Sequence, residues 1–287
     1  MEIQQPFELQ VIKALNNNVI LARERPAGQE MILIGKGLGF LLPRGSKLTL
    51  DDARIEKASL IVDSSRREQY QQLLKIVDER IIGVAEEIIE MASERFGCPL
   101  SDHIHVALPD HIGFALERLR RGLEIPNPML NEIRNLYVQE YRLAKEAATL
   151  IEQRLDARLP ESDVGFLALH LYAARSKRDP KEASRYLGLI REIIGIVEGR
   201  YQVVLAEGNL DYERLLIHLK GLFEALETGK KVENPLLDKI QAGFSEAFAL
   251  AGELAALVKS RTGREVPQEQ VGYLALHLER IKNGSVA

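Results

Sequence analysis

The six histidines are the residues of this 287-residue chain best suited to chemistry. Four of them form two pairs with the same spacing, His111 with His170 and His218 with His277, and the second pair lies 107 residues after the first. A neutral imidazole is a nucleophile, it changes charge near neutral pH, and it binds metal ions. Any one of these histidines is compatible with simple packing in a helical bundle, but two pairs kept in register favour a chemical role.

Three chemical roles are open to the pairs. A metal site needs three or four ligands, and His103 and His105 lie near His111 in the sequence. The second repeat has no equivalent of His103 or His105, which argues against a metal site in both repeats. Acid–base catalysis needs partner groups, and no nucleophile motif accompanies the histidines, so the sequence predicts neither an enzyme nor a cofactor. Reversible phosphorylation would add about −1.5 to −2 charge at each site. Asp110, directly before His111, is a candidate for orienting that ring.

The histidine spacing belongs to an internal repeat. The segment Gly165–Leu171 (GFLALHL) recurs as Gly272–Leu278 (GYLALHL), and Asn127–Leu130 recurs as Asn234–Leu237, with the same offset of 107 residues. Apolar residues at helical spacing begin near Leu73 and continue nearly to the end of the chain. The sequence therefore predicts two homologous all-α helical-bundle domains, separated by a polar linker at residues 175–181.

The first sixty residues have a different pattern. Short β-rich runs at Val11–Leu15, Val19–Ala22, Met31–Ile34 and Ala58–Val62 are separated by Asn and Gly, which predicts a small antiparallel sheet. So small a sheet buries little core and is expected to need a partner copy. The predicted fold class is multidomain α+β. The predicted domains are residues 1–62, 66–174 and 182–287.

Composition excludes several classes of protein. Hydrophobic residues make up 46% and charged residues 28%, too apolar a mixture for a disordered chain. No apolar run approaches the roughly 20 residues of a membrane span, and the N-terminus lacks a secretion signal. The single cysteine, Cys98, excludes an internal disulfide and favours the cytosol. A net charge of −4 argues against a broadly basic nucleic-acid coat, although residues 1–60 carry 8 basic and 7 acidic side chains.

Several short motifs occur in a fixed order along the chain. They are KALNNNV at 13–19, IGKGLGF at 34–40, ARIEK at 53–57, DHI at 110–112 and the two ALHL segments. In this order they resemble the BglG/LicT/SacY family of transcription antiterminators, and within it the glucose-responsive GlcT branch. The resemblance covers essentially the whole chain. It implies a co-antiterminator RNA-binding domain followed by two regulation domains of the sugar phosphotransferase system (PTS).

The resemblance also implies a function and partners. A homodimer would stabilise an antiterminator hairpin in the leader mRNA of a sugar PTS operon, and histidine phosphorylation would control it. The implied phosphate donors are the histidine phosphocarrier protein and the EIIB domain of a sugar permease. The chain itself is not expected to insert into a membrane. Ile217 stands where the first repeat has Asp110, so the two repeats are expected to differ as substrates. The implied phosphoacceptors are His111, His170, His218 and His277.

The resemblance places the RNA-binding surface on two segments of the sheet domain. Alone, Asn16–Asn18 predicts a hairpin turn and Gly35–Gly37 a flexible loop. Asparagine amides pair with base edges, lysines meet phosphates, and glycines allow close approach of the backbone. Phe40 either stacks on an unpaired base or packs beneath the sheet. The predicted RNA-binding residues are Lys13, Asn16, Asn18, Gly35, Lys36, Gly37 and Phe40.

Three other functions remain open from the residues alone. A DNA-binding PTS-regulated activator would normally carry a helix-turn-helix, and none is predicted before residue 65. A metal-dependent hydrolase would use the histidine cluster, and a stoichiometric metal would reveal it. A pure interaction scaffold would show no RNA binding by residues 1–62.

Overall fold

The computed structural model describes residues 8–25, 28–60, 72–73, 75–177, 180–206 and 208–284. The chain divides into two compact units. The first unit comprises residues 1–127 and 139–180, and the second comprises residues 128–138 and 181–287. Among the described residues, no helix is long and apolar enough to span a membrane.

The N-terminal part of the first unit is an antiparallel sheet with the strand order β4-β1-β2-β3-β5. The predicted sheet is confirmed, but the sequence missed β4, a three-residue edge strand, and α1, a single helical turn after β3. The last predicted strand continues to residue 62, and residues 61–62 lie outside the described residues. The elements are β1 (Glu8–Ala14), β2 (Val19–Arg25), β3 (Glu30–Ile34), α1 (Leu38–Leu41), β4 (Lys47–Thr49) and β5 (Lys57–Leu60).

Both faces of this sheet are buried. One face forms a core with α1 and β4, centred on Leu9, Ile20 and Leu33. The other face lies against Leu73 and Ile82, which follow the sheet in sequence. Burying a side chain of this size contributes roughly 1.5–3 kcal/mol, so this second cluster stabilises the sheet substantially. Part of the cover that the small sheet was expected to need therefore comes from its own chain.

Four long helices follow the sheet in the described part of the first unit. Asp78 caps the first of them by accepting a hydrogen bond from the backbone N–H of Arg80, and Gly97 ends it in the left-handed conformation at φ 64°. The helices are α2 (Glu79–Phe96), α3 (Ile104–Arg120), α5 (Val138–Leu155) and α6 (Glu161–Ser176).

The second sequence repeat has the same helical pattern as the first. Helices α4, α5 and α6 begin 107 residues before α9, α10 and α11, which confirms the repeat in three dimensions. The polar linker is shorter than predicted, because α6 extends to Ser176 and Pro180 begins α7; residues 178–179 lie outside the described residues. The helices are α4 (Leu130–Leu136), α7 (Pro180–Tyr201), α8 (Leu210–Thr228), α9 (Leu237–Gly243), α10 (Ser245–Thr262) and α11 (Gln268–Gly284).

Helix α4 belongs to the second unit although it lies in the first sequence repeat. Its Glu132 is fully buried, and one carboxylate oxygen accepts hydrogen bonds from Tyr212 Oη at 3.2 Å and Arg191 Nη1 at 3.3 Å. The backbone carbonyl of Leu136 accepts a further bond from Lys220 at 3.0 Å. A buried carboxylate is tolerated only when it is paired, so these contacts fix α4 against α7 and α8.

Candidate RNA-binding surface and histidine pairs

The Asn16–Asn18 segment is a tight turn between β1 and β2. The side-chain oxygen of Asn16 accepts the backbone N–H groups of Asn18 at 2.8 Å and Val19 at 2.9 Å. An Asn side chain that bonds its own backbone two residues on fixes a turn locally. The hairpin expected from sequence is therefore present, and it is built around Asn16.

The glycine-rich segment is joined to this turn by three hydrogen bonds. The backbone N–H groups of Gly35 and Gly39 donate to the carbonyls of Asn18 and Asn17, both at 2.9 Å. The N–H of Gly37 donates to the Asn18 side chain at 3.0 Å. The two segments that the sequence assigned to RNA binding thus form one continuous surface.

Gly37 and Gly39 show why this surface needs glycine. Gly37 has a φ of 70°, which other residues rarely adopt, and it begins α1. A Cβ atom on Gly39 would lie 2.0 Å from the Asn16 carbonyl oxygen. The close approach of the two backbones at Gly39 therefore joins the two segments.

Phe40 lies on the outside of α1. Phe40 is 81% exposed, whereas Leu38, the first residue of α1, is fully buried. The alternative in which Phe40 packs beneath the sheet is therefore wrong, because α1 turns Leu38 into the core instead. Lys36 is also exposed, and its backbone N–H bonds Glu56 at 3.2 Å.

Two of the predicted RNA-binding residues are engaged by acidic residues of α2. Lys13 Nζ lies 2.5 Å from Glu79, and the Asn16 amide donates to Glu87 at 2.8 Å. Glu87 also binds Arg154 at 3.1 Å. The Asn16–Asn18 turn, residues 34–36, α2 and the end of α5 border a cleft of about 750 Å³. Sequence reasoning missed Glu79 and Glu87, which lie 66 and 71 residues from their partners and carry no local signal.

The four repeated histidines form two pairs of closely packed, tilted rings with the same geometry. The ring centroids of His111 and His170 are 4.7 Å apart with an interplanar angle of 37°. Those of His218 and His277 are also 4.7 Å apart, with an angle of 36°. The members of each pair are 59 positions apart in the sequence. The first pair joins α3 to α6, and the second pair joins α8 to α11.

Burial keeps all four rings neutral near pH 7. Burial lowers the pKa of His170 to about 3, and the neighbouring His111 and His103 add to this effect. Burial lowers the pKa of His218 to about 4, helped by His277. The pKa values of His111 and His277 are also lowered chiefly by burial. A neutral ring retains the lone pair needed for nucleophilic attack.

The charges near the first pair are largely neutralised by each other. Arg118 and Asp163 form a buried ion pair at 2.5 Å, and the guanidinium also donates to the carbonyl of Leu123 at 2.8 Å. Asp163 raises the pKa of His111 and Arg118 lowers it, so the two effects oppose each other. The second repeat has Ala225 in place of Arg118 and Gln270 in place of Asp163. This difference between the repeats was a signal that the sequence analysis overlooked.

The other histidine-region residues have structural surroundings of their own. Asp110 is exposed, and its charge raises the pKa of His111 less than that of Asp163 does. His105 Nδ1 lies 2.7 Å from the buried carboxylate of Glu86. Among the residues that the structure describes, no group of three or more His, Cys, Asp or Glu side chains is placed to hold a metal ion.

Comparison with known proteins identifies the domains. A model of the CAT RNA binding domain matches residues 9–68, and a model of the PRD domain matches residues 86–174 and 191–281. The transcription antiterminator LicT of Bacillus subtilis is 30% identical over 276 residues, which cover 95% of this chain and 99% of LicT. The PtsGHI operon antiterminator of the same organism is 31% identical over 277 residues, covering 95% and 97%.

Two GlcT proteins are also similar. GlcT of Staphylococcus haemolyticus is 30% identical over 279 residues, covering 96% of this chain and 97% of GlcT. The solved structure described as GlcT CAT-PRDI is 37% identical, with a TM-score of 0.49, and covers 58% of this chain and 98% of its own. The family expected from the motifs is confirmed. The chain belongs to the family of transcription antiterminators in which a CAT RNA-binding domain precedes two PRD domains.

Proposed function

We propose that this protein is an antiterminator of a sugar PTS operon. Phosphorylation of His111, His170, His218 and His277 controls its affinity for the leader mRNA. The observation that carries the proposal is the repeated pair of neutral imidazoles, whose ring centroids are 4.7 Å apart in both repeats. Packing alone does not require histidine at four matched positions.

The expected donors are the histidine phosphocarrier protein and the EIIB domain of a sugar permease, acting in the cytoplasm. Each transfer places about −1.5 to −2 charge beside a partly buried ring. Like charges repel more strongly where water is partly excluded, so phosphorylation favours rearrangement of the helices that carry the pair. His111 is expected to give the inhibitory response, because Asp110 precedes it.

The RNA surface is proposed to comprise Lys13, Asn16, Asn18, Gly35, Lys36, Gly37 and Phe40. The exposed ring of Phe40 is suited to stacking on an unpaired base, and the backbone is fixed close to the surface by Gly37 and Gly39. RNA, rather than duplex DNA, suits a surface of turns that reads unpaired bases.

The proposed active species is a homodimer. Exposed apolar side chains on the PRD helices support this, among them Phe114 on the helix of His111 and Ile217 directly before His218. Sedimentation is expected to give twice the chain mass at micromolar concentration. A monomer in both the phosphorylated and the unphosphorylated protein would refute the dimer.

Substitution of Asn18 tests the RNA assignment. Asn18→Ala removes both a base-reading amide and the acceptor for Gly37 N–H, so specific binding should weaken by about 1–3 kcal/mol. The measurement is a gel shift against the leader RNA of the neighbouring sugar-transport operon, with Gln29→Ala as control, an exposed residue at the opposite end of β2 and β3. Unchanged affinity of Asn18→Ala would defeat the assignment, and preference for duplex DNA of the same sequence would support the activator instead.

A further inference from the structure

The second histidine pair has two arginines one helical turn away. On α8, Arg214 lies four residues before His218, and on α11, Arg280 lies three residues after His277. Residues three or four apart share a helix face, and the ring contact between His218 and His277 joins the two helices. Both guanidinium groups lie close enough to His277 to lower the pKa of its ring.

A single carboxylate holds the two arginines in place. Asp211 Oδ1 lies 3.0 Å from Arg280 Nε and 3.4 Å from Arg214 Nη1. Two positive groups thus share one negative group, and both guanidinium groups remain partly exposed. This arrangement has an excess of one positive charge and donors left over for a second anion.

The first repeat has no such arrangement. The positions equivalent to Arg214, Arg280 and Asp211 are Ala107, Ala173 and Ile104. The arginine near His111, Arg118, is buried and already bound to Asp163 and a backbone carbonyl. The histidine pair of the first repeat therefore serves as an internal control that lacks the arginine pair.

His277 is also the least deeply buried of the four rings. His111 Nε2, His170 Nδ1 and His218 Nε2 are each buried without a hydrogen-bond partner, whereas His277 has no such nitrogen. Burial and the two arginines lower the pKa of His277, so its ring is neutral at pH 7. A neutral, accessible imidazole is what attack on phosphorus requires.

We propose that Arg214 and Arg280 form a phosphoryl-binding site for N-phosphorylated His277, with Asp211 as the anion that holds the site before phosphorylation. This inference rests on the proposed function. A ring nitrogen of His277 attacks the phosphorus of the donor's phosphohistidine, so one N–P bond forms as the other breaks. The proton on the other His277 nitrogen leaves to water, and the released donor imidazole takes up a proton.

The chemistry of the arginines explains why the site would prefer the phosphoryl group. Guanidinium binds phosphate oxygens through paired, charge-assisted hydrogen bonds. The phosphoryl group carries about twice the charge of the Asp211 carboxylate, so it competes for the same donors. Phosphate on the second repeat is thereby held by contacts that the first repeat cannot supply.

Phosphorylation of the full chain tests the site. The protein is incubated with the phosphorylated histidine phosphocarrier protein and, separately, with phosphoramidate, and each histidine is quantified by mass spectrometry at alkaline pH. Phosphoramidate is too small to depend on docking, so it reports on the site itself. Arg280→Ala and Arg214→Ala are expected to lower phosphate occupancy at His277 by about tenfold, the loss of one strong charge-assisted contact.

Three controls separate binding from folding. Arg280→Lys keeps the charge and should restore part of the occupancy, which a merely structural role would not require. Arg200→Ala removes an exposed ion pair with Glu253 elsewhere in the second unit and should change nothing. Labelling of His111 in the same sample is the internal reference and should be unaltered.

The outcomes distinguish this inference from the proposed function. If the wild-type protein is labelled on none of the four histidines, the proposed function fails and this inference fails with it. If His277 is labelled equally in wild type, Arg214→Ala and Arg280→Ala, this inference fails alone. Arginine-dependent labelling of His218 with none on His277 would overturn the assignment of the acceptor.

Discussion

Removal of two carboxylates from α2 is expected to raise the affinity of the full chain for its antiterminator hairpin. Glu87 binds the amide of Asn16, and Glu79 binds the ammonium group of Lys13, which are both proposed to contact RNA. RNA must displace these carboxylates before it can use either side chain. The double variant Glu79→Ala/Glu87→Ala removes that competition.

The size of the effect follows from the two contacts. The Asn16–Glu87 bond is part-buried, and a hydrogen bond to a charged group contributes about 1.5–3 kcal/mol. The Lys13–Glu79 pair is half exposed at its carboxylate and contributes below about 1 kcal/mol. Since the released groups regain water and Glu87 is also shared with Arg154, the expected gain is about 1–2 kcal/mol, or roughly 5- to 30-fold in Kd.

Fluorescence anisotropy with a labelled leader hairpin at fixed salt measures this gain. Loss of two negative charges alone attracts RNA, so the matched control is Glu117→Ala/Glu146→Ala, which removes two exposed carboxylates from α3 and α5. If the α2 double variant binds no more tightly than this control, the contacts do not compete with RNA and the reasoning is wrong.

Three further results are expected. Phe40→Ala should leave the melting temperature unchanged, because Phe40 is 81% exposed, yet weaken RNA binding by about 1–3 kcal/mol. The control is the neighbouring Leu41→Ala, and an equal loss of RNA affinity in both variants would refute stacking of Phe40 on a base. Gly39→Ala should cost about 1–3 kcal/mol of stability in urea unfolding, since its Cβ would clash with a carbonyl, and a neutral effect would contradict the described turn. Acidification from pH 7 to 5 should lower the free energy of unfolding by up to about 2 kcal/mol for each of His170 and His218. Their pKa values of about 3 and 4 in the folded protein lie below the value near 6.5 in the unfolded chain, so the unfolded chain takes up protons first. Replacing both with Phe should flatten that dependence in urea unfolding.

The sequence predicted those features that leave a periodic or repeated trace. An offset of 107 residues relates His111 to His218 and His170 to His277, and the starts of three helices in each repeat obey the same offset. The alternation of apolar residues with Asn and Gly predicted the sheet. Short elements escaped, because three residues of β4 and one turn of α1 are too brief to establish a period.

Contacts between distant segments were beyond the sequence for a different reason. The bonds from Asn16 to Glu87 and from Tyr212 to Glu132 join residues 71 and 80 positions apart. Nothing local to any of these residues specifies its partner, because helix packing decides which faces meet. The exposure of Phe40 was likewise undecided until α1 fixed which side of that turn faces solvent.

We propose that phosphate on the paired histidines controls RNA binding, and one experiment tests this directly. A single sample of full-length protein is phosphorylated by the histidine phosphocarrier protein, and phosphate occupancy, by mass spectrometry at alkaline pH, is measured together with hairpin affinity. We expect phosphate on histidines of the two pairs and a change in hairpin Kd that follows their occupancy. Absence of phosphate from all four histidines, or occupancy without any change in Kd, would refute the proposal.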